Sequence, residues 1–182
     1  MTTGTRVIRW GVIGPGRAGA RFAQGFAGVP GSTLTAIWGR NLDRARAYAE
    51  RFSVPNIAAT VDELLASPVD AVYVATHPDT HAAFCIRALA AGKHVLCEKP
   101  AALNVTQLED ILAAARLHQR LFMEAMKPPF FPLYRKLRQH LAAHPIGPIG
   151  FVRAGHCDST LEPDYPLHFH ELGGGGILGI DG

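Results

Sequence analysis

A β-branched run, Arg6 to Ile13 (RVIRWGVI), leads straight into Gly14-Pro15-Gly16-Arg17-Ala18-Gly19, and a stretch of helical period follows. That succession constrains the fold more than anything else in the chain. A strand that becomes a helix within a few residues needs backbone free of side chains, and the spacing of these three glycines is the one a βαβ unit uses to seat a diphosphate. Gly14 serves the tight turn, Gly16 lets backbone approach the phosphates, and Gly19 lets helix and strand pack closely. The helix N-terminus adds N–H donors and a partial positive charge. Pro15, Arg17 and Ala18 complete the loop, with Arg17 placed to lie across the adenine or the pyrophosphate. The bland alternative is an ordinary strand-to-helix turn rich in glycine.

The rest of the chain repeats the alternation. Leu34 to Trp38 (LTAIW), Val69 to Ala75 (VDAVYVA), His94 to Cys97 (HVLC) and Leu121 to Ala125 (LFMEA) read as further strands, with helical periods between them. Strands and helices in alternation make a Rossmann-type, doubly wound parallel sheet of the α/β class. Thr60-Val61-Asp62-Glu63 and Thr106-Gln107-Leu108-Glu109 both fit the capping box, in which a hydroxyl and a carboxylate satisfy backbone N–H groups at a helix start. After the second, Leu108, Ile111, Leu112 and Ala115 recur at three- and four-residue intervals and predict one apolar face against the sheet. Asp79 or Thr80 is expected to cap the helix whose end Gly92 marks.

Two further segments carry chemistry. About 20 residues beyond the glycine loop, a dinucleotide site places an acidic residue on the ribose if it takes NAD, or an Arg beside the 2′-phosphate if it takes NADP. Here the residues are Gly39-Arg40-Asn41. Arg40 fits a phosphate and Asn41 adds a hydrogen bond, so the sequence leans to NADP with NAD left open. The other reading is a solvated Arg40 ahead of a helix that Asn41 caps. Further on, His94-Val95-Leu96-Cys97-Glu98-Lys99-Pro100 puts Lys99 at the carboxyl end of a strand, where parallel sheets gather their ligand-binding residues. A lysine partly desolvated beside a cofactor has its pKa drawn towards neutrality, and it takes a proton from a hydroxyl as hydride leaves the same carbon. Glu98 is the partner expected to orient its ammonium. From spacing, a surface ion pair at a strand end explains the two residues as well.

Composition narrows the classes. Hydrophobic residues are 48% and charged residues 18% of the 182, which is enough apolar material for a packed core and excludes a disordered tail protein. The net charge of +3 is scattered, so nothing predicts a nucleic-acid surface, and no apolar run is long enough to cross a membrane. Cys85, Cys97 and Cys157 lie far apart with no CxxC spacing; reduced thiols and a cytoplasmic location are the expectation. Cys97 reads as a small buried apolar residue rather than a nucleophile. His156, Cys157, Asp158, His168, His170 and Glu171 are metal-ligand types, but His170-Glu171 lacks the second histidine of the zincin helix, and no metal is expected. Lys127-Pro128-Pro129 interrupts the alternation. Residues 1–127 therefore read as a dinucleotide-binding domain and 128–182 as the beginning of a second, with a helix from about Phe131 to His144 and a strand-like FVRAGHC after it. A unit that small is marginal by itself, and the chain reads as cut short within it.

Together, VIGPGRAG, ATHPDTHAAFCIRALAAGKHVLCEKP and the later run Gly173-Gly174-Gly175-Gly176 resemble the Gfo/Idh/MocA oxidoreductases, the glucose-fructose oxidoreductase and inositol dehydrogenase family. AGKHVLCEKP is the most specific piece, and Met123-Glu124-Ala125-Met126 to Phe131-Pro132 is similar to the dimeric dihydrodiol dehydrogenase branch. The resemblance implies that Lys99 is the catalytic lysine. Glu98 and Pro100 then shape its loop, with a cis Lys99-Pro100 bond holding the ammonium at the nicotinamide. The family's Thr-Pro-Asn-x-x-His stands here as Thr76-His77-Pro78-Asp79-Thr80-His81, which assigns Thr76, Pro78 and His81 to the cofactor.

Towards the end, the resemblance leads into a substrate pocket, with His168 or His170 on sugar hydroxyls and a plain surface position as the alternative reading. The family's GGGxLxDxGxH segment aligns so that Gly179 takes the place of its Asp, with Asp181 two positions on and the proton-transferring His or Tyr past Gly182. Family members are much longer, and the open antiparallel sheet of their second domain walls the substrate site and forms the dimer, so a homo-oligomer is implied for a full-length protein. The implied activity is hydride transfer between nicotinamide and a secondary alcohol or carbonyl carbon of a sugar, cyclitol or dihydrodiol. The rival reading is a cofactor-binding module without catalysis, for which Gly179 and the short second domain speak.

Overall fold

The structure is a computed structural model that describes residues 6–26 and 28–153. Six strands form one sheet: β1 (Ile8–Ile13), β2 (Ser32–Trp38), β3 (Asn56–Ile57), β4 (Ala71–Val74), β5 (His94–Cys97) and β6 (Phe122–Glu124). Their order is β3-β2-β1-β4-β5-β6, and every neighbouring pair is parallel. The connections are helices: α1 (Arg17–Phe26), α2 (Leu42–Phe52), α3 (Val61–Ala66), α4 (Pro78–Ala90) and α5 (Val105–Leu117). A 3₁₀ turn, Pro128–Phe130, and α6 (Pro132–Ala143) follow β6. The expected doubly wound sheet is present.

Alternation within the strands divides the core in two. On β4, Val72 and Val74 point to one face and Tyr73 to the other, as do Ile13 and Val12 on β1. The first face packs under α3, α4 and α5 through Leu64, Cys85, Leu89 and Ile111; the second packs under α1 and α2 through Ala23, Ala45 and Tyr48. All four residues of β4 are buried, which is why its sequence reads as a continuous apolar run rather than an alternating one. At the amino end of the sheet, Asp70 locks β1 to β4. Its carboxylate accepts from the Arg9 backbone N–H at 2.9 Å and from the Arg9 guanidinium at 2.9 and 3.0 Å, and Arg6 adds a fourth bond at 2.6 Å. These bonds hold the Asp70 carboxyl well below the usual carboxylate range.

Several local expectations are corrected. The strand β3 has no counterpart in the sequence pattern: Asn56 and Ile57 are both exposed and too few to show a period, and the pairing depends on β2, whose Thr35 carbonyl accepts from Asn56 Nδ2 at 2.8 Å. The first capping box is real, with Thr60 Oγ1 accepting from Glu63 N at 3.1 Å and Glu63 reaching back to Ala59 N at 2.7 Å. The second is shifted. Asn104, not Thr106, caps α5 through Gln107 N at 2.9 Å, while Gln107 Oε1 accepts from Leu103 N, so the box is Asn104 with Gln107. Neither Asp79 nor Thr80 caps α4; the helix starts at Pro78 after His77, whose side chain makes no cap bond, and proline at the first position needs none of its own. Gly92, at φ +76°, does end that helix region. Phe151 to Arg153 form no strand, and the rest of FVRAGHC lies outside the described residues.

The predicted apolar face of α5 is also narrower than its spacing implied. Ile111 is 0% exposed and Ala115 9%, whereas Leu108 and Leu112 are 39% and 37% exposed at the margin. Truncation should separate the two classes. Ile111→Ala is expected to cost about 2–5 kcal/mol of unfolding free energy, and Leu112→Ala about 1 kcal/mol or less, as read by chemical denaturation.

Candidate active site

Each strand of the sheet's middle hands its last carbonyl to the loop of its neighbour. Gly14 N donates to Trp38 O (2.9 Å), Ala75 N to Ile13 O (2.8 Å), Glu98 N to Val74 O (2.8 Å) and Ala125 N to Cys97 O (2.7 Å). Loops distant in sequence thus stand side by side along the carboxyl edge. Between β1 and β4 the strand order reverses: α1 leaves to one face and α4 belongs to the other, so a crevice opens at this point.

The glycine loop lies at that crevice, and its three glycines differ in what surrounds them. Gly14 has φ +115°, and a Cβ there would sit 2.5 Å from Ala75 O. A Cβ on Gly19 would meet Gly14 O at 2.3 Å. Gly16, by contrast, has Ala75 O at 4.0 Å as its nearest neighbour, so backbone is bare on a side open to a ligand. Tyr48 Oη, buried beneath α1, donates to Gly19 O at 2.8 Å, and burial pushes its hydroxyl pKa up so that the donor proton is kept. Pro15 and Ala18 are half-buried in the loop and Arg17 is exposed at its rim.

In the sequence Gly39 stands out only as the residue before Arg40. The fold gives it a steric role, because a Cβ would lie 2.6 Å from Pro15 Cδ and the end of β2 presses directly on the glycine loop. Arg40 follows it, exposed, and Asn41 Oδ1 accepts from Arg44 N at 2.9 Å as the cap of α2. The capping alternative is therefore realised for Asn41, whose amide N–H₂ group is left for other partners.

Lys99 follows β5, half-buried, and its peptide bond to Pro100 is cis. Three tethers hold this loop. Glu98 accepts from the Tyr73 hydroxyl through Oε1 and from Lys99 N through Oε2 at 3.3 Å; Ala101 N donates to Glu124 Oε1 at 2.8 Å; and the Pro100 carbonyl faces His81 Nδ1 at 2.8 Å. The Tyr73 ring stacks on Phe22 of α1 with centroids 3.9 Å apart, linking the helix behind the glycine loop to the lysine loop. Burial, with Glu98 beside it, drives the Tyr73 pKa up, so the hydroxyl stays a donor. Tyr73 and Glu124 were missed from sequence. The only signals were an aromatic within the aliphatic AVYV and an acid within the strand-like LFMEA.

Thr76 sits at the turn after β4, and the Thr80 hydroxyl donates to His77 O at 2.7 Å while standing 2.8 Å from Thr76 Oγ1. Pro78 is buried as the first residue of α4. His81, assigned by resemblance to the cofactor, is only 1% exposed and lies beneath the loops rather than on the crevice surface. Cys97 is fully buried beside Cys85, and that contact and its burial raise the thiol pKa, in keeping with an inert core residue. His168 and His170 lie outside the described residues, as do His156, Cys157, Asp158 and Glu171. Among the described residues no group of three or more His, Cys, Asp or Glu is placed to hold a metal ion.

A parallel sheet in this order, with a glycine turn at its switch point, defines a Rossmann-type dinucleotide-binding domain. The chain belongs to the Gfo/Idh/MocA family: that family's model, described as an oxidoreductase family with an NAD-binding Rossmann fold, matches residues 8–126. Among curated relatives, trans-1,2-dihydrobenzene-1,2-diol dehydrogenase of Xenopus tropicalis is 32% identical over 176 residues, covering 94% of this chain and 53% of its own length. The scyllo-inositol 2-dehydrogenase (NADP(+)) IolU of Bacillus subtilis is 34% identical over 159 residues, covering 87% of this chain and 48% of its own. Among solved structures, the 3-ketoreductase KijD10 of Actinomadura kijaniata, in complex with NADP, superposes with a TM-score of 0.71 at 37% identity over 78% of this chain and 46% of that one. The chain spans about half the length of the curated relatives it matches.

Substitutions at the glycines should sort by what each Cβ meets. Gly19→Ala is expected to cost about 1–3 kcal/mol of stability because it overfills a closed contact. Gly16→Ala should stay within about 0.5 kcal/mol of the parent. Denaturant titration of both variants checks the difference.

Proposed function

We propose that this chain is the cofactor-binding part of an NAD(P)-dependent oxidoreductase that moves a hydride between nicotinamide and a secondary alcohol or carbonyl carbon of a sugar, cyclitol or dihydrodiol. The observation that carries the reading is the pairing of two features on one edge. Bare backbone at Gly16 adjoins the N-terminus of α1, and two strands along, the loop of Lys99 is tied back to β4 through Glu98 and Tyr73. The residues present fit a dinucleotide. Gly14, Pro15, Gly16, Arg17, Ala18 and Gly19 hold the diphosphate, which the α1 N-terminus favours electrostatically. Arg40, exposed at the end of β2, pairs with a 2′-phosphate, with the Asn41 amide beside it; NADP is therefore the preferred cofactor, and the NADP in the names of IolU and KijD10 supports this. The backbone at Thr76 and Pro78 borders the nicotinamide end.

A bound nicotinamide supplies or accepts the hydride. Lys99 takes the substrate hydroxyl proton on oxidation and returns it on reduction, and Glu98 and Pro100 set the direction of its loop. We assign residues 1–127 to the cofactor domain and 128–182 to the start of a substrate and dimerisation domain, in which His168 and His170 meet substrate hydroxyls. Support comes from α6, which buries none of its residues against the sheet domain. For a full-length protein a homo-oligomer in the cytoplasm completes the reading, and the reduced Cys85 and Cys97 thiols are in keeping with that location.

Lys99→Met tests the central role. Turnover on the responsive member of a polyol and dihydrodiol panel is expected to fall by about 10² to 10⁴, while NADPH affinity, read by fluorescence titration, is kept. Undiminished turnover would end the assignment of Lys99, and NADPH binding without turnover on any substrate by the unmutated protein would favour the non-catalytic module. Arg40→Ala should weaken NADPH binding much more than NADH binding; equal weakening would remove the phosphate role.

A further inference from the structure

His81 is buried, and both its ring nitrogens face backbone carbonyls. Nδ1 lies 2.8 Å from Pro100 O, and Nε2 lies 3.2 Å from Thr76 O. These carbonyls belong to the two loops that flank the proposed nicotinamide position, one after β4 and one carrying Lys99. The geometry follows from the helix: His81 sits in the first turn of α4, and side chains there lean towards the N-terminus, back under the turn from which the helix starts.

A neutral imidazole has one N–H, so it can donate to only one of two carbonyls. Burial keeps the ring neutral by lowering its pKa, against the opposing pull of the two carbonyls and of Glu98 and Asp79. On the shorter contact we assign the proton to Nδ1, so that Nδ1–H donates to Pro100 O and Nε2 carries no hydrogen.

We propose that His81 is a positioning residue that acts through Pro100: its Nδ1–H pins the Lys99-Pro100 loop to α4 and so fixes the height of the Lys99 ammonium at the crevice. This rests on Lys99 being the proton-transfer group. His81 itself is buried and acts through the Pro100 carbonyl. Its companion tethers are Tyr73 to Glu98 before the lysine and Glu124 to Ala101 after it, so the loop is held on both sides and from below.

Amide side chains discriminate this role from plain core filling. Asparagine places an N–H₂ where Nδ1 stands, and glutamine places one where Nε2 stands. In the full-length enzyme, His81→Asn is expected to keep kcat within a few-fold of the parent. His81→Gln and His81→Leu should lower kcat by about 10- to 100-fold with substrate KM little changed, since a reacting group misplaced by about 1 Å costs that order. Amide hydrogen exchange should rise at Lys99 and Ala101 in the Gln and Leu variants and stay parental at Glu98, whose N–H is bonded to Val74 O.

Equal kcat losses in the Asn and Gln variants, or parental exchange at Lys99 and Ala101 in both Gln and Leu, would overturn the proposal. If the His81→Leu variant fails to fold, the Asn and Gln pair carries the test. The exchange readout does not need turnover, so a failure of the Lys99 assignment, seen as undiminished rate in Lys99→Met, is told apart from a failure of the His81 tether.

Discussion

At the carboxyl end of β1 the backbone of Gly14 runs so close to the Ala75 carbonyl that not even a methyl group fits between them. Much of this edge depends on that contact. It lets β1 and β4 stay paired to their last residues while the chain leaves β1 for one face of the sheet and β4 for the other. Gly19 continues the close packing by setting the start of α1 against the Gly14 carbonyl, and Gly39 brings the end of β2 onto Pro15 from the other side. Three close contacts at glycines thus place a helix N-terminus over the switch point, with Gly16 left open above it.

The lysine loop is built on a different principle. It is held by side-chain hydrogen bonds that come from separate elements: Tyr73 from β4, His81 from α4 and Glu124 from β6. The His81 bond to Pro100 is buried and the other two are partly buried, and a lost partner in such a place leaves a polar atom unsatisfied. Tyr73 is also stacked on Phe22, so a displacement of α1 would be felt at Glu98. The glycine loop and the lysine loop are therefore parts of one packed assembly, although about 80 residues separate them in the chain.

Family membership and fold agree with what the residues imply. The glycine loop, the AGKHVLCEKP run and the resemblance to the dihydrodiol dehydrogenase branch all point to the family whose model matches residues 8–126. The departures are local. Asn104 and Thr106 are both capping residue types, and the helix takes Asn104, the stronger of the two, with Thr106 inside its first turn. Leu108 and Leu112 have the right period to be buried, yet the width of the stripe that the sheet covers is a property of the packing and not of the helix.

What the residues determined by themselves was the alternation of strands and helices, the turn chemistry of the glycine loop and the presence of a lysine at a strand end. These are set by local backbone sterics and by periods of two and 3.6 residues, which short stretches of chain express directly. Only the folded chain decided that Asn56 and Ile57 pair as a strand, that Gly39 bears on Pro15, and that the buried His81 ring reaches the Pro100 carbonyl. Each of these joins groups far apart in sequence. Such contacts exist only once the sheet order has brought the loops together, so no local pattern encodes them.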